Sequence, residues 1–158
     1  MKKSTGLSVY GPIAKMVFWL YVALVFFVVI LKFNGSWQVL LERARHAKPW
    51  SHYNLQIGYT IHKYMMNLNA GWARLNIAGN ILPFIPIGLF MPWAYKAANK
   101  IIWVLCCGTL LITAMEFVQL ATGLGTFDVD DILLNVLGIL AGWIVYRILF
   151  QRKSGTMP

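Results

Sequence analysis

The sequence predicts an all-α fold, an integral membrane four-helix bundle, and three observations lead to this prediction. Hydrophobic residues make up 59% of the chain and charged residues only 12%, whereas soluble domains carry about 25% charged residues. Four apolar segments approach the ~20 residues that a helix needs to cross a bilayer. Short links join the last three segments, so we expect antiparallel neighbours within a single domain over residues 1–158.

The four predicted spans, in chain order, cover residues 13–33, 75–95, 101–122 and 131–150. Lys15 and Lys32 flank the apolar centre of the first span, where long lysine side chains can reach the membrane interface. The second span contains Pro83, Pro86 and Pro92, and each proline removes a backbone donor. We therefore expect the second span to be kinked or broken, with its freed carbonyls satisfied by protein or by a polar cavity.

Residues 34–74, between the first two spans, are predicted to form an outer loop on the membrane surface rather than a further span. Val39 and Leu40 are followed by a mixture of apolar and charged residues up to Lys48, which is typical of a short amphipathic helix that Pro49 ends. Tryptophans in this loop suit the interfacial level. The loop is therefore expected to be helical, amphipathic and interfacial.

The net charge of +9 is assigned to the membrane rather than to nucleic acid, because Lys and Arg flank spans and face anionic lipid. Eight basic residues lie near the N-terminus, around residues 96–100 and near the C-terminus, against five or six in and beside the loop at 34–74, a modest bias. The positive-inside rule then predicts that both termini lie inside. This orientation places the outer loop and the acidic residues at 128–131 on the same, outer face.

Polar residues inside the second and third spans are candidates for function, because polar groups are costly in lipid. Glu116 and Gln119 are three residues apart and share one face of the third span, while Asn76 and Asn80 share a face of the second. The alternatives are a buried carboxylate that fixes helix packing and a kink with capping amides. Structural roles in the kink and in close helix contact are predicted for Pro83, Pro86, Gly88 and Gly138.

The stretch FDVDDILLNVLG, residues 127–138, concentrates acidic residues before the fourth span. If the helix begins near Phe127, Asp128, Asp131 and Asn135 form one polar stripe, with Asp130 about 100° away. Capping and the helix dipole are the alternative explanation for one or two of these carboxylates. We expect a shared cavity, and the predicted ligand-binding residues are Asn76, Asn80, Glu116, Gln119, Asp128, Asp130, Asp131 and Asn135.

Three chemistries fit this set of carboxylates and amides. Glu116, Asp128 and Asp131 are candidate ligands for a divalent cation, which would in turn hold a lipid phosphate. The same three carboxylates are candidate catalytic bases for transfer on a lipid headgroup. The set could also form hydrogen bonds with a sugar. The spacing does not choose among these chemistries, so both catalysis and the cofactor stay open.

Three blocks of the sequence resemble the VanZ-like family of small four-span bacterial membrane proteins. They are NIAGNILPFIPIGLFMP at residues 76–92, EFVQ at 116–119 and GTFDVDDILLNVLG at 125–138, and all three occur in order. A weaker block, NLQIGYTIHKY, keeps Asn54, Leu55 and Tyr64. Thr126 stands where many members carry an arginine before the Phe-Asp pair, so Arg74 is the candidate to replace it.

The resemblance implies a multi-pass protein of the bacterial cytoplasmic membrane, and the family's namesake is linked to resistance to teicoplanin, a lipid-anchored glycopeptide. The expected function is a cell-envelope protein whose outer-leaflet polar site binds a lipid or lipid-linked glycan headgroup and contributes to such resistance. The expected partners are membrane lipids or lipid-linked cell-wall intermediates. The alternatives are a membrane enzyme acting on such a headgroup, a transport accessory and a scaffold subunit.

Overall fold

The computed structural model describes residues 11–31 and 37–151. Connections of different lengths separate its helices, and two of the connections contribute a two-residue strand each. In chain order, the elements are α1 (Pro12–Leu31), α2 (Trp37–Arg45), β1 (Tyr53–Asn54), α3 (Tyr59–Met66), α4 (Gly71–Ile81), a 3₁₀ turn (Leu82–Phe84), α5 (Ile85–Ala94), a 3₁₀ turn (Lys96–Asn99), α6 (Ile101–Thr122), β2 (Phe127–Asp128), α7 (Val129–Tyr146) and a π-helical turn (Arg147–Gln151).

Four helical segments are long and apolar enough to cross a membrane, so the predicted fold class is confirmed. They are Pro12–Val29, Gly71–Ala94, Ile101–Thr122 and Val129–Phe150. The third matches its predicted bounds. The predicted end of the first span at residue 33 lies outside the described residues.

The second span begins earlier than predicted because its first helical turn accommodates an arginine. The Nη1 atom of Arg74 donates to the carbonyl oxygens of Leu68 and Asn69, at 2.8 and 3.1 Å. These bonds turn the guanidinium back toward the preceding loop, so the charge does not prevent the helix from starting at Gly71. A span predicted from an apolar segment is taken to begin after a charged residue such as Arg74, whereas the helix itself can include that residue.

The second span is broken into α4 and α5 at the prolines. Pro83 lies in the 3₁₀ turn, and Pro86 lies in the first turn of α5, where the helix needs no N–H donor. The hydroxyl of Tyr21 on α1 donates to the carbonyl oxygen of Pro83 at 3.0 Å. A neighbouring helix therefore satisfies a backbone group at the break, as an apolar environment requires.

Helices α5 and α7 approach each other closely through glycines. A Cβ atom added at Gly88 would lie 1.8 Å from the carbonyl oxygen of Ile139, and one at Gly142 would lie 1.9 Å from that of Ile85. A Cβ at Gly138 would lie 2.3 Å from the carbonyl oxygen of Ile81. Because lipid supplies no hydrophobic drive between helices, small residues that allow such backbone contact hold the bundle together.

The outer loop is fastened to the bundle, a feature that the sequence did not predict. Strands β1 and β2 pair in parallel, with Tyr53 opposite Phe127 and Asn54 opposite Asp128. Helix α2 has no buried residues, whereas Tyr64 of α3 packs in a small core with Leu134 of α7. The loop therefore contains the short amphipathic helix expected, as α2, and a second helix, α3, which packs against the fourth span.

The glycine contacts predict a steric effect of substitution on stability. Replacing Gly88 or Gly142 by Ala should lower the free energy of unfolding by about 1–3 kcal/mol, the usual cost of overpacking, because each added methyl group meets a backbone carbonyl. Thermal unfolding of the detergent-purified protein, followed by circular dichroism, measures the loss.

Gly79→Ala is the matched control, since a Cβ at this helical glycine meets nothing within 4 Å. It should be neutral or slightly stabilising, because Ala has the higher helix propensity. Equal losses in all three variants would contradict the close-contact explanation.

Candidate functional site

A cavity of about 260 Å³ lies between α1, α4, α6 and α7. It brings together five of the residues predicted to bind a ligand. The polar lining residues are Asn76, Asn80, Glu116, Gln119 and Asp131, and the remaining ones are Val28, Val29, Leu75, Gly79 and Pro83. Residues from four helices that are distant in sequence therefore form one polar compartment within the bundle.

The cavity has an exposed rim and a buried floor. Asn76 and Gly79 at the rim are exposed, whereas Glu116 and Gln119 on the floor are each only 2% exposed. The i, i+3 spacing on α6 directs both floor residues toward the same side. The Nε2 atom of Gln119 donates to the carbonyl oxygen of Val29 at 2.8 Å, which joins α6 to α1 beneath the cavity.

A direct hydrogen bond links the second and fourth spans across the cavity. The Nδ2 atom of Asn80 donates to Oδ1 of Asp131 at 2.5 Å, a short contact of the kind that a charged acceptor favours. Asn76, one turn earlier on α4, donates through Nδ2 to the carbonyl oxygen of Trp72 at 2.8 Å. The two asparagines therefore have different partners although they share a helix face.

Asp128 lies outside the cavity lining, which corrects the predicted stripe. The helix begins at Val129, and Asp128 is its N-cap with an extended backbone (φ −132°, ψ 122°). Its carboxylate accepts hydrogen bonds from the backbone N–H of Asp130 at 2.9 Å and from the hydroxyl of Thr60 at 2.6 Å. Because an N-cap residue does not follow the helical periodicity, its side chain points to the outer loop instead.

Asp130 also faces the outer loop and is completely buried. Its two carboxylate oxygens accept the backbone N–H groups of Gly58, Thr60 and Ile61 at 2.7, 2.8 and 3.1 Å. These are the first N–H groups of α3, which have no partner within their own helix, and the negative charge complements the helix dipole. Asp130 therefore attaches α3 to the start of α7 and does not line the cavity.

Glu116 and Asn135 occupy the interior between these two regions. The Oε2 atom of Glu116 accepts the backbone N–H of Asp128 at 3.2 Å, so the cavity floor contacts the capping cluster directly. Asn135 is 1% exposed and lies one helical turn after Asp131. Its Oδ1 atom is buried and accepts no hydrogen bond from the residues that the structure describes.

Sequence reasoning missed the residues that bind the aspartates. Asn54 donates through Nδ2 to both carboxylate oxygens of Asp128 at 3.3 Å and to the hydroxyl of Thr60 at 2.9 Å. Gly58 adopts a left-handed conformation (φ 84°) that starts α3. The sequence signal that could have found them is the weaker block NLQIGYTIHKY, which contains Asn54 and Gly58 but does not indicate their partners.

The predicted metal ligands do not come together as a ligand set. Within residues 11–31 and 37–151, no three His, Cys, Asp or Glu side chains converge in a way that could hold a metal ion. The oxygens of Asp128 are engaged by Asn54 and Thr60. The geometry therefore lends the divalent-cation prediction no support.

These features define a multi-pass membrane protein with four spans, a fastened outer loop and a small polar cavity among the helices. The chain belongs to the VanZ/LLP1 family, because the model of that family matches residues 18–150. This match confirms the resemblance carried by the three sequence blocks. No curated protein and no solved structure matches the chain.

From the three hydrogen bonds that the Asp130 carboxylate accepts, we predict that this side chain holds α3 of the outer loop against the start of α7. Asp130→Asn should lower the free energy of unfolding by about 1–3 kcal/mol, because the amide presents a donor to N–H groups that need an acceptor. Trypsin should also cleave faster after Arg45 and Lys63 in the loop, as seen by gel electrophoresis.

Glu42→Gln is the control for this experiment, because it removes one acidic charge from an exposed loop position. Unchanged proteolysis of Asp130→Asn relative to this control would show that the loop does not depend on the carboxylate.

Tyr64 gives a pH dependence with a defined sign. Burial, followed by the charges of the three aspartates at the start of α7, raises the pKa of its hydroxyl from 10.0 to about 12. The folded chain then stays neutral at Tyr64 where the unfolded chain ionises, so stability falls as pH rises from about 10 toward 12. Tyr64→Phe should show a smaller fall in melting temperature over this range than the exposed-site variant Tyr59→Phe; equal falls would refute the assignment.

Proposed function

We propose that the cavity is an outer-leaflet site for the headgroup of a lipid or lipid-linked glycan, and that the protein contributes through it to teicoplanin-type glycopeptide resistance. The observation that carries this proposal is the cavity lining, in which carboxylates and amides from three spans surround a space of about 260 Å³. Polar side chains inside membrane spans are costly, so their presence indicates that they have a function.

The rim of the cavity suits an amphiphile that enters from the bilayer. Val28 on α1 and Leu75 on α4 line the cavity and are 42% and 73% exposed. Apolar side chains at the opening can contact acyl chains, while Glu116 and Gln119 on the floor can bind only polar groups. A lipid could therefore place its headgroup inside and leave its chains in the hydrocarbon layer.

The proposed orientation places both termini inside and the cavity outside. Lys15 and Lys100 lie near the starts of α1 and α6, and Arg147 follows α7. These positions belong to the end of the bundle opposite the cavity, where the indole Nε1 of Trp143 donates to the carbonyl oxygen of Ala98 at 3.0 Å. The positive-inside rule favours this basic end as the cytoplasmic one.

The function is tested in a glycopeptide-sensitive Gram-positive host that produces the wild type, Asp131→Asn or Glu116→Gln at matched membrane levels. Wild type should raise the inhibitory concentration of teicoplanin more than that of vancomycin, which lacks the lipid tail. Each cavity variant should lose most of this protection, because it replaces a carboxylate of the lining by an amide.

Glu42→Gln is the matched control and should protect like the wild type, since it makes the same carboxylate-to-amide change at an exposed residue outside the cavity lining. If the cavity variants protect as well as this control, the cavity is not the functional site. If wild type gives no selective protection against teicoplanin, the resistance part of the proposal is wrong.

A further inference from the structure

We infer that the cavity recognises its ligand through hydrogen-bond donors, namely the hydroxyl or amine groups of a headgroup, and not through a phosphate group. This inference rests on the proposed function and specifies the chemistry of the ligand at the same site. Three observations support it: the sign of the charge in the lining, the orientation of the lining amides, and a buried acceptor one turn from Asp131.

The lining that the described residues form contains no cationic side chain that would attract an anion. Glu116 and Asp131 carry either a negative charge or none, and no Lys, Arg or His belongs to the lining that the described residues form. Arg74 is near in sequence to Asn76, but its Nη1 is committed to the carbonyl oxygens of the loop before α4. Phosphate sites in proteins ordinarily use cationic side chains or helix N-termini.

The three lining amides have their nitrogen atoms turned toward the protein. Asn76 and Gln119 donate to backbone carbonyl oxygens, which can only accept, so the orientation of each amide group is fixed by its partner. Asn80 donates to the carboxylate of Asp131. Each amide thus has one of its two N–H groups engaged by the protein, and its oxygen remains an acceptor for a ligand, as the carboxylate oxygens are.

Asn135 extends the same preference deeper into the bundle. It follows Asp131 by four residues on α7, so the two side chains lie on the same helix face. Its buried Oδ1 atom has no hydrogen-bond donor among the described residues. This atom does not line the cavity, but it shows that the same face of α7 presents an unsatisfied acceptor rather than a donor toward the interior.

An acceptor-rich compartment discriminates between headgroups. Sugar hydroxyls and primary amines bring donors that match amide and carboxylate oxygens. A phosphate dianion brings only acceptors and a negative charge, and it would have to lose water beside Glu116 and Asp131 with no cationic partner among the described lining residues. The donor-bearing headgroup is therefore the one that the lining stabilises.

The test is a competition measured by native mass spectrometry of the full-length protein released from detergent. Three lipids with identical acyl chains are offered in equal amounts: diglucosyl-diacylglycerol, a lipid with a primary amine and no phosphate, and phosphatidic acid. We expect at least one of the first two to occupy the protein about tenfold more than phosphatidic acid, the scale of a charge-assisted hydrogen bond. The sugar and amine arms separate the two sources of donors.

Two variants assign the preference to the cavity. Asp131→Asn should reduce it several-fold, and Asn76→Lys should shift binding toward phosphatidic acid by placing a cation at the exposed rim. Glu42→Gln should leave the preference unchanged. The Asn76→Lys variant keeps the test informative if Asp131→Asn does not fold, because Asn76 is exposed.

Each outcome decides between the claims. If phosphatidic acid binds as well as or better than the donor lipids, this inference is wrong. An effect of Asn76→Lys on that binding would then show that the cavity still binds headgroups, and no effect would show that the lipid binds elsewhere. If Asn76→Lys and Asp131→Asn both leave the preference for donor lipids unchanged, binding occurs elsewhere and the inference is also overturned. If none of the three lipids binds, headgroup binding itself is refuted together with the inference.

Discussion

Asp130 and the start of α3 form the contact on which the outer part of the molecule depends. The carboxylate is completely buried and takes three backbone N–H groups that α3 cannot satisfy by itself. With Asp128 as N-cap, the contact defines where α7 begins. That starting point determines how α7 is rotated about its own axis. With this rotation, the side chain of Asp131 faces Asn80. Two aspartates that do not line the cavity thus position the one that does.

The close packing of α7 against α4 and α5 defines the other side of the site. Glycine contacts bring the backbones of α5 and α7 together, and in lipid such contacts take the place of the hydrophobic effect. The proline break between α4 and α5 leaves Asn76 and Asn80 on the segment that borders the cavity. Tight packing on one side of α7 and a polar space on the other are therefore two results of the same arrangement.

Helical spacing predicted the cavity residues within helices and failed at the helix start. Glu116 with Gln119, and Asn76 with Asn80, lie well inside α6 and α4, where the 3.6-residue period fixes the side-chain direction. Asp128 precedes α7 in an extended conformation, so the helical spacing that grouped it with Asp131 in one polar stripe did not apply to it. Asn135 shares the face of Asp131 as predicted, yet it is deeper than the cavity lining.

Hydropathy and charge alone determined the membrane class, the four spans and the polar residues within them, because a helix in lipid must satisfy its own backbone and must be apolar over its length. Only the tertiary structure decided which carboxylates support the fold and which line the cavity. That division depends on Gly58, Thr60 and Asn54, which lie about 70 residues from their aspartate partners in the chain. No local pattern encodes such a contact, because the donors are backbone N–H groups and small polar side chains that become specific only when the outer loop meets the start of α7.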